Sequence, residues 1–245
     1  ASGYTSPMES PAAPTPKGPG NSCVNCGVRS ATVCAALGDP QLEEVEAHKV
    51  GDHYFPAGSD LFLQGTQSEY LYTIKEGWVM LYTLLQDGRR QINEFCLTGA
   101  FIGCQSDMMG PSSYSAQALT GVTVCALPRE GIDAVFQRVP EMAVRFACIA
   151  TKSMESAFAT LATVGRGTAR ERIAHLLADL EARSQVVQTE SSAGPLALPI
   201  TQEHIGDALG LTSVHVSRTL KQLREDDIVS LRGHALHILD RPALM

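Results

Sequence analysis

The stretch that most narrows what this chain can fold into runs from 200 to 240, "ITQEHIGDALGLTSVHVSRTLKQLREDDIVSLRGHALHILD". Thr201 is a good N-cap for a short helix whose Ile205 and Leu209 face inward. Gly210 breaks that helix, and Thr212 can cap a second one. In the second helix Val216, Leu220 and Leu223 stand at i, i+4 and i+7, which buries one stripe and turns Val214, Ser217, Arg218 and Lys221 outward. Helix, glycine turn and helix is the helix-turn-helix pattern, whose second helix enters a DNA major groove. "DIVSLRGHALHIL" then reads as a two-stranded wing turning at Gly233.

Each outward group has a role in a groove. Arg218 can bond bidentately to guanine O6 and N7, Ser217 can donate to a base edge or phosphate, and Val214 can touch a thymine methyl. Lys221 and Arg224 suit phosphates. The plain alternative is a small helical domain with a solvated face. From residue 170 onward there are eight Lys/Arg against ten Asp/Glu, and the whole chain carries a formal charge of −7, so the signal is the arrangement and not the charge. A protein that coats nucleic acid indiscriminately is excluded.

Upstream the texture changes. From about Asp52 to Pro128, short β-branched and aromatic runs are punctuated by glycines, which predicts several short strands of a sandwich or barrel. Asp87-Gly88 between two strand-like runs predicts a hairpin. "PEMAVRFACIATKSMESAFATLATVG" (140–165) has no Pro or Gly inside it and predicts a long helix, with Met142, Phe146, Ile149, Ala157, Leu161 and Val164 among its apolar positions. Too apolar to stand alone in water, it packs on a second copy or on its own chain. The dimer reading takes Phe146, Ile149, Ala157 and Leu161 as contacts. "TARERIAHLLADLEARSQ" predicts another amphipathic helix, followed by a polar connection.

Near the start, "SCVNCGVRSATVC" sets Cys23, Cys26 and Cys34 in a C-x2-C-x7-C pattern. Residues 1–21 are rich in proline, almost uncharged, and predict a disordered tail. They lack the basic start and apolar stretch of a signal peptide, so a cytoplasmic protein with reduced thiols is expected. Seven cysteines in such a compartment disfavour a disulfide framework and favour metal ligands or redox groups. No apolar run reaches the ~18 residues of a spanning helix, and no membrane association is expected. No nucleophile–base pair, catalytic metal motif or phosphate-cradling loop appears, so an enzyme is not expected.

A glycine-rich β-roll, a long helix and a C-terminal winged helix-turn-helix together resemble the CRP/FNR superfamily of bacterial transcription regulators. The pieces that carry the resemblance are "IKEGWV" and "GAFIG" in the roll, "ARERIAHLL" before the DNA-binding domain and "LGLTSVHVSRTLKQL" at the recognition helix. The implied fold is α+β: a cysteine segment at 22–38, a β-roll sensor at 39–139, a dimerisation helix at 140–165 and a winged helix-turn-helix at 166–245. Cyclic-nucleotide binders of the superfamily carry a Glu after "FIG" and an Arg that holds the phosphate. Here those places hold Cys104 and Tyr114, so cyclic AMP is not expected.

The N-terminal cysteines resemble the FNR type, which binds an oxygen-labile [4Fe–4S] cluster. "SAQALTGVTVCALP" resembles the segment carrying the fourth ligand, which implies Cys23, Cys26, Cys34 and Cys125. Cys96 and Cys104 are competitors for the fourth place, and Cys148 reads as a packing residue. Zinc suits four thiolates too, a dithiol–disulfide switch is a third reading, and a haem or small-ligand sensor on the same fold is a fourth. The resemblance further implies a homodimer on a palindromic operator, with RNA polymerase as a partner.

Two departures matter. FNR-type readers carry a Glu where this chain has Val214, in "VHVSR". Ser217 and Arg218 therefore carry over and the carboxylate contact does not, which alters the operator at that base pair or passes the contact to His215. Between Arg145 and Arg170 the only carboxylate is Glu155. Dimerisation is therefore expected to depend less on the cluster than in the FNR type, where an acidic residue on this helix opposes association.

Overall fold

A computed structural model describes residues 15–16, 22–105, 107, 109–185, 196–233 and 235–244. Among them a short strand β1 (Thr15–Pro16) precedes two 3-10 turns, Cys23–Asn25 and Arg29–Ala31, and helix α1 (Asp39–His48). Eight strands follow: β2 (Gly51–Phe55), β3 (Asp60–Phe62), β4 (Tyr70–Glu76), β5 (Val79–Leu84), β6 (Arg90–Cys96), β7 (Phe101–Ile102), β8 (Ser115–Ala118) and β9 (Val122–Pro128). They form two antiparallel sheets, β1-β2-β9-β4-β7 and β3-β8-β5-β6, which is the roll that the resemblance implied. Their inner faces share a core of Phe55, Phe62, Tyr72, Ile74, Val79, Val122, Val124 and Ala126.

The hairpin at Asp87-Gly88 joins β5 to β6 through residues 85–89, with Gly88 at φ +83°. Two residues of the tail expected over 1–21 are described, and they lie on the edge of the roll. Thr15 and Pro16 pair with Tyr54 and His53 on the sheet edge, where a proline is tolerated because no neighbour needs its missing N–H. The rest of that tail, and residues 186–195 of the polar connection, lie outside the described residues.

Helix α2 (Ile132–Arg138) leads into the long helix α3 (Pro140–Arg166) and then α4 (Ala169–Gln185). The C-terminal part comprises β10 (Leu196–Ala197), α5 (Gln202–Leu209), α6 (Ser213–Glu225), β11 (Val229–Arg232), β12 (Ala235–Ile238) and α7 (Arg241–Leu244). The last three strands pair in the order β10-β12-β11, with Gly233 turning the wing at φ +63°. One apolar core runs from Met80, Ile92 and Phe95 of the roll into Ile173, Leu177, Leu209 and Leu220 of this C-terminal part. Arg90 reinforces the junction by donating to Asp207 from Nε at 2.9 Å, and Gln91 donates to the Ala208 carbonyl at 3.1 Å. No helix among the described residues is long and apolar enough to cross a membrane.

Candidate metal centre and nucleic-acid interface

The alternation of β9 sorts its side chains onto two faces. Val122, Val124 and Ala126 enter the roll core. Cys125 falls on the opposite face with Leu127, and Leu127 packs with Leu71, Cys23, Val33, Leu37 and Leu42 in a second apolar layer. The cysteine segment is therefore laid on the outside of the sheet that carries Cys125. Val33 and Leu37, each 1% exposed, are its apolar anchors.

Three polar contacts hold the segment. Glu46 of α1 accepts the Cys23 backbone N–H at 2.7 Å and the Ser22 hydroxyl at 2.9 Å. Arg29 donates to the Leu37 carbonyl at 2.7 Å, closing the loop that contains Cys34. Gly99 lets the roll come close: at φ +94°, a Cβ there would sit 2.6 Å from the Ala31 carbonyl oxygen.

Electrostatics tie the thiols together. Burial pushes Cys125 up to about 12; Lys49 opposes the rise, and Cys23, Asp52 and Cys34 add to it. Cys34 is pushed up to about 11 by burial, then by Cys23 and Cys26. Cys23 is raised by burial against the pull of Lys49, with Glu46 and Cys26 raising it further. Cys125 thus feels Cys23 and Cys34, and Cys26 acts on Cys23 and Cys34. Cys96 does not belong to this group: it is 2% exposed inside the roll core and feels Glu94 and Arg183. Cys104 lies beside Arg129. Cys148 is exposed on α3.

The four thiols are not gathered round one point. A single tetrahedral zinc draws its sulfurs to ~2.3 Å from one point, yet among the described residues no three His, Cys, Asp or Glu side chains converge in that way. Cations are at hand. Lys75 lies 2.5 Å from Asp52 Oδ2, and Asp52 is the cross-strand neighbour of Cys125. The other oxygen of Asp52 is buried without a hydrogen bond.

At the other end of the chain the local chemistry builds a reading head. Thr201 accepts the His204 N–H at 3.1 Å and caps α5. Gly210 turns at φ +65°, and Thr212 accepts the His215 N–H to cap α6. Gly206 makes the turn tight, since a Cβ there would meet the Leu211 carbonyl oxygen at 2.6 Å. Val216, Thr219, Leu220 and Leu223 are buried, so Val214, His215, Ser217, Arg218 and Lys221 stand in solvent on the opposite side. Val214 is 67% exposed, which leaves an apolar side chain on a face otherwise fit for base edges.

Helix α3 carries two apolar stripes. Phe146 packs edge-on to Phe101 and against Phe136, and Ile149 joins the same layer as Cys23 and Cys34. These two expected dimer contacts are thus turned into their own chain, because α2 and β7 already cover that side of the helix. Ala157 and Leu161 are exposed. Leu161 belongs to an outward stripe with Val144, Ala147, Thr151, Met154 and Phe158, spaced alternately by three and four. Val144 (66%), Met154 (50%), Phe158 (60%) and Leu161 (69%) expose large apolar surface along it.

Comparison with known proteins bears on all of these parts. A Crp-like helix-turn-helix domain matches residues 171–245 and a cyclic nucleotide-binding domain matches residues 52–139. The nitrogen fixation regulation protein FixK of Bradyrhizobium diazoefficiens is 30% identical over 221 residues, covering 90% of this chain and 91% of its own. The transcriptional activator protein FnrL of Cereibacter sphaeroides is 30% identical, over 86% of this chain and 85% of its own. The solved structure of FixK2 from Bradyrhizobium japonicum superposes with a TM-score of 0.71 at 29% identity, covering 79% of this chain and 94% of that one.

The chain belongs to the CRP/FNR family of transcription regulators. Members of the CRP/FNR family are regulators and not enzymes, and they bind DNA through the helix-turn-helix, typically as dimers. Within the roll of this CRP/FNR protein, Tyr114 stacks its ring edge against Phe62 and donates its hydroxyl to the Cys104 carbonyl at 3.2 Å. Several residues of this CRP/FNR chain had no signal in the cysteine or helix patterns. Glu46 stands outside every motif read in the sequence. Gly99 and Gly206 were visible as glycines, but only the close approaches of Ala31 and Leu211 give them a purpose.

Proposed function

We propose that this CRP/FNR regulator is a cytoplasmic homodimer that binds a palindromic operator and acts on RNA polymerase. An oxygen-labile [4Fe–4S] cluster on Cys23, Cys26, Cys34 and Cys125 controls its DNA affinity. What supports this reading is the C-x2-C-x7-C segment lying, through Val33 and Leu37, on the outer face of the sheet that carries Cys125, with the Asp52–Lys75 pair on the neighbouring strand. Held by four thiolates, the cluster supplies an oxygen-labile cross-link between the segment and the roll.

The chain's own residues carry the signal onward. Val33, Leu37 and Leu127 share a layer with Met142, Phe146 and Ile149 at the start of α3. A shift of the cysteine segment therefore presses on the inward stripe of α3, while the outward stripe meets the partner. Rotation or sliding of that seam alters the separation of the two recognition helices, which must match half-sites about one turn apart. Arg218 and Ser217 read bases, and Lys221 serves phosphates.

The test is anaerobic purification with iron and sulfide analysis and a visible spectrum recorded before and after air is admitted. About four irons and four sulfides per chain, with absorbance that collapses in air, is the expected result. A colourless protein that holds zinc, or no metal, removes the cluster and leaves the DNA-binding assignment standing.

A further inference from the structure

The reading head is joined to α3 through two non-helical residues, Gly167 and Thr168. Arg172 steadies that joint by donating to the Gly167 carbonyl at 2.9 Å and to the Leu209 carbonyl at 3.3 Å. A joint this short is a pivot, and the direction in which α5 and α6 point has to be set elsewhere. The second point of attachment is β6, the outermost strand of its sheet. An edge strand left bare is a liability, and here the head covers it. Ile92 and Phe95 enter one core with Leu177, Leu180 and Leu209.

Polar contacts hold both ends of that strand. Arg183 of α4 donates to the Phe95 carbonyl at 2.5 Å and to Glu94 at 3.4 Å. At the other end Arg90 sends two guanidinium nitrogens to one oxygen of Asp207, at 2.9 and 2.7 Å. Gln91 donates to the Ala208 carbonyl beside it at 3.1 Å. The neighbouring Arg89 is taken by Asp87 at 2.8 Å. Arg90 and Asp207 are only 24% and 25% exposed, so salt screens them less than a surface pair. Apolar packing is thin at this end, where the hairpin and the turn before α6 flank a crevice of about 690 Å³ lined by Leu85, Arg89, Gly206, Gly210 and Thr212. The closed pair does not cover the reading face: Val214 is 67% exposed, and Ser217, Arg218 and Lys221 stand in solvent.

We propose that Arg90 and Asp207 are positioning residues for DNA recognition: their pair latches α5 to the edge of the roll, fixes the direction in which α6 is presented, and so sets the half-site spacing that the dimer accepts. The inference rests on the dimer and palindromic operator proposed above. A head freed from the roll must be ordered again when it binds, which costs affinity. The same freedom lets it swivel toward half-sites at other separations.

The experiment compares the full-length wild type with Arg90→Asp, Asp207→Arg and the double exchange, all purified without oxygen. The probes are a palindromic duplex selected by the wild type from a random-sequence pool, and versions of it with a base pair inserted or removed at the centre. Each single variant is expected to bind the selected palindrome about tenfold more weakly, within the usual range of coupling between sites, and to discriminate less against the altered spacings. The double exchange, which restores an ion pair of reversed polarity, should recover both properties. Thermal midpoints are measured alongside. A merely structural role lowers the midpoint and leaves the spacing preference where it was, and that result overturns the inference. So does a single variant that binds the selected palindrome as tightly as the wild type or more tightly. A wild type that selects no palindrome overturns the operator reading, and this inference with it.

Discussion

At the residue scale, the proposed recognition depends on a few side chains standing on one side of α6. Arg218 is the residue proposed for a guanine edge, and among the described residues no carboxylate pairs with it as Glu225 pairs with Lys221 at 3.5 Å. Arg218→Ala is expected to cost about 1–3 kcal/mol of discrimination at one base pair. The check is the ratio of specific to non-specific binding at fixed salt; an unchanged ratio takes Arg218 out of the base-reading set. This much was legible in sequence, because helix capping and the i, i+4, i+7 stripe are local. The site around Cys125 was less legible. Spacing gave the three N-terminal thiols, whereas the fourth followed from family resemblance. Cys96 and Cys125 look alike in sequence, each standing in a β-run, and the sheet's alternation alone separates the roll interior from its outer face.

At the element scale, α3 shows where periodicity stops being sufficient. A helix with two apolar stripes announces two partners without saying which stripe meets which. Phe146 and Ile149, expected as dimer contacts, are half-buried within their own chain beside Phe101, Phe136 and the cysteine layer. The outward stripe of Val144, Met154, Phe158 and Leu161 keeps the spacing of a coiled-coil seam. Burying each of those side chains in a partner contributes about 1.5–3 kcal/mol, enough to drive association without help from charge. Phe158→Glu is expected to shift the protein to monomer at micromolar concentration in sedimentation analysis while leaving its fold intact. Phe146→Ala should do the reverse, destabilising the subunit by roughly 2 kcal/mol, less than the about 3–5 of a fully buried Phe, with the dimer retained. Exchanged outcomes would reverse the assignment of the two faces.

At the scale of the whole molecule, roll and helix-turn-helix share one apolar core, and charge pairs such as Arg90–Asp207 sit on its rim. Acid should weaken that structure. Burial lowers the pKa of His53 and, with Arg90 adding to the effect, of His204. Both are neutral in folded and unfolded chains well above about 6.5. As the pH falls through that value the unfolded chain takes up protons first, so stability is lost, at up to about 1.4 kcal/mol per pH unit for each group. His204 would also lose the lone pair that accepts the Thr201 N–H at 3.3 Å. Thermal midpoints measured from pH 7.5 down to 5.5 should fall, and His204→Gln should flatten the curve. A flat curve in the wild type contradicts this assignment of the histidines.

The general architecture was legible because glycine turns, strand texture and helix caps agree on it. The docking of the cysteine layer on β9 was not, since it depends on long-range packing. The central claim is that this layer governs DNA binding, and one titration tests it directly. An anaerobic preparation is titrated onto a palindromic operator, exposed to air, and titrated again at the same salt concentration. The account expects the preference for operator over unrelated DNA to fall by about tenfold or more, in line with coupling energies of about 1–3 kcal/mol, and to fall in step with the visible absorbance. A preference that survives complete loss of that absorbance contradicts it.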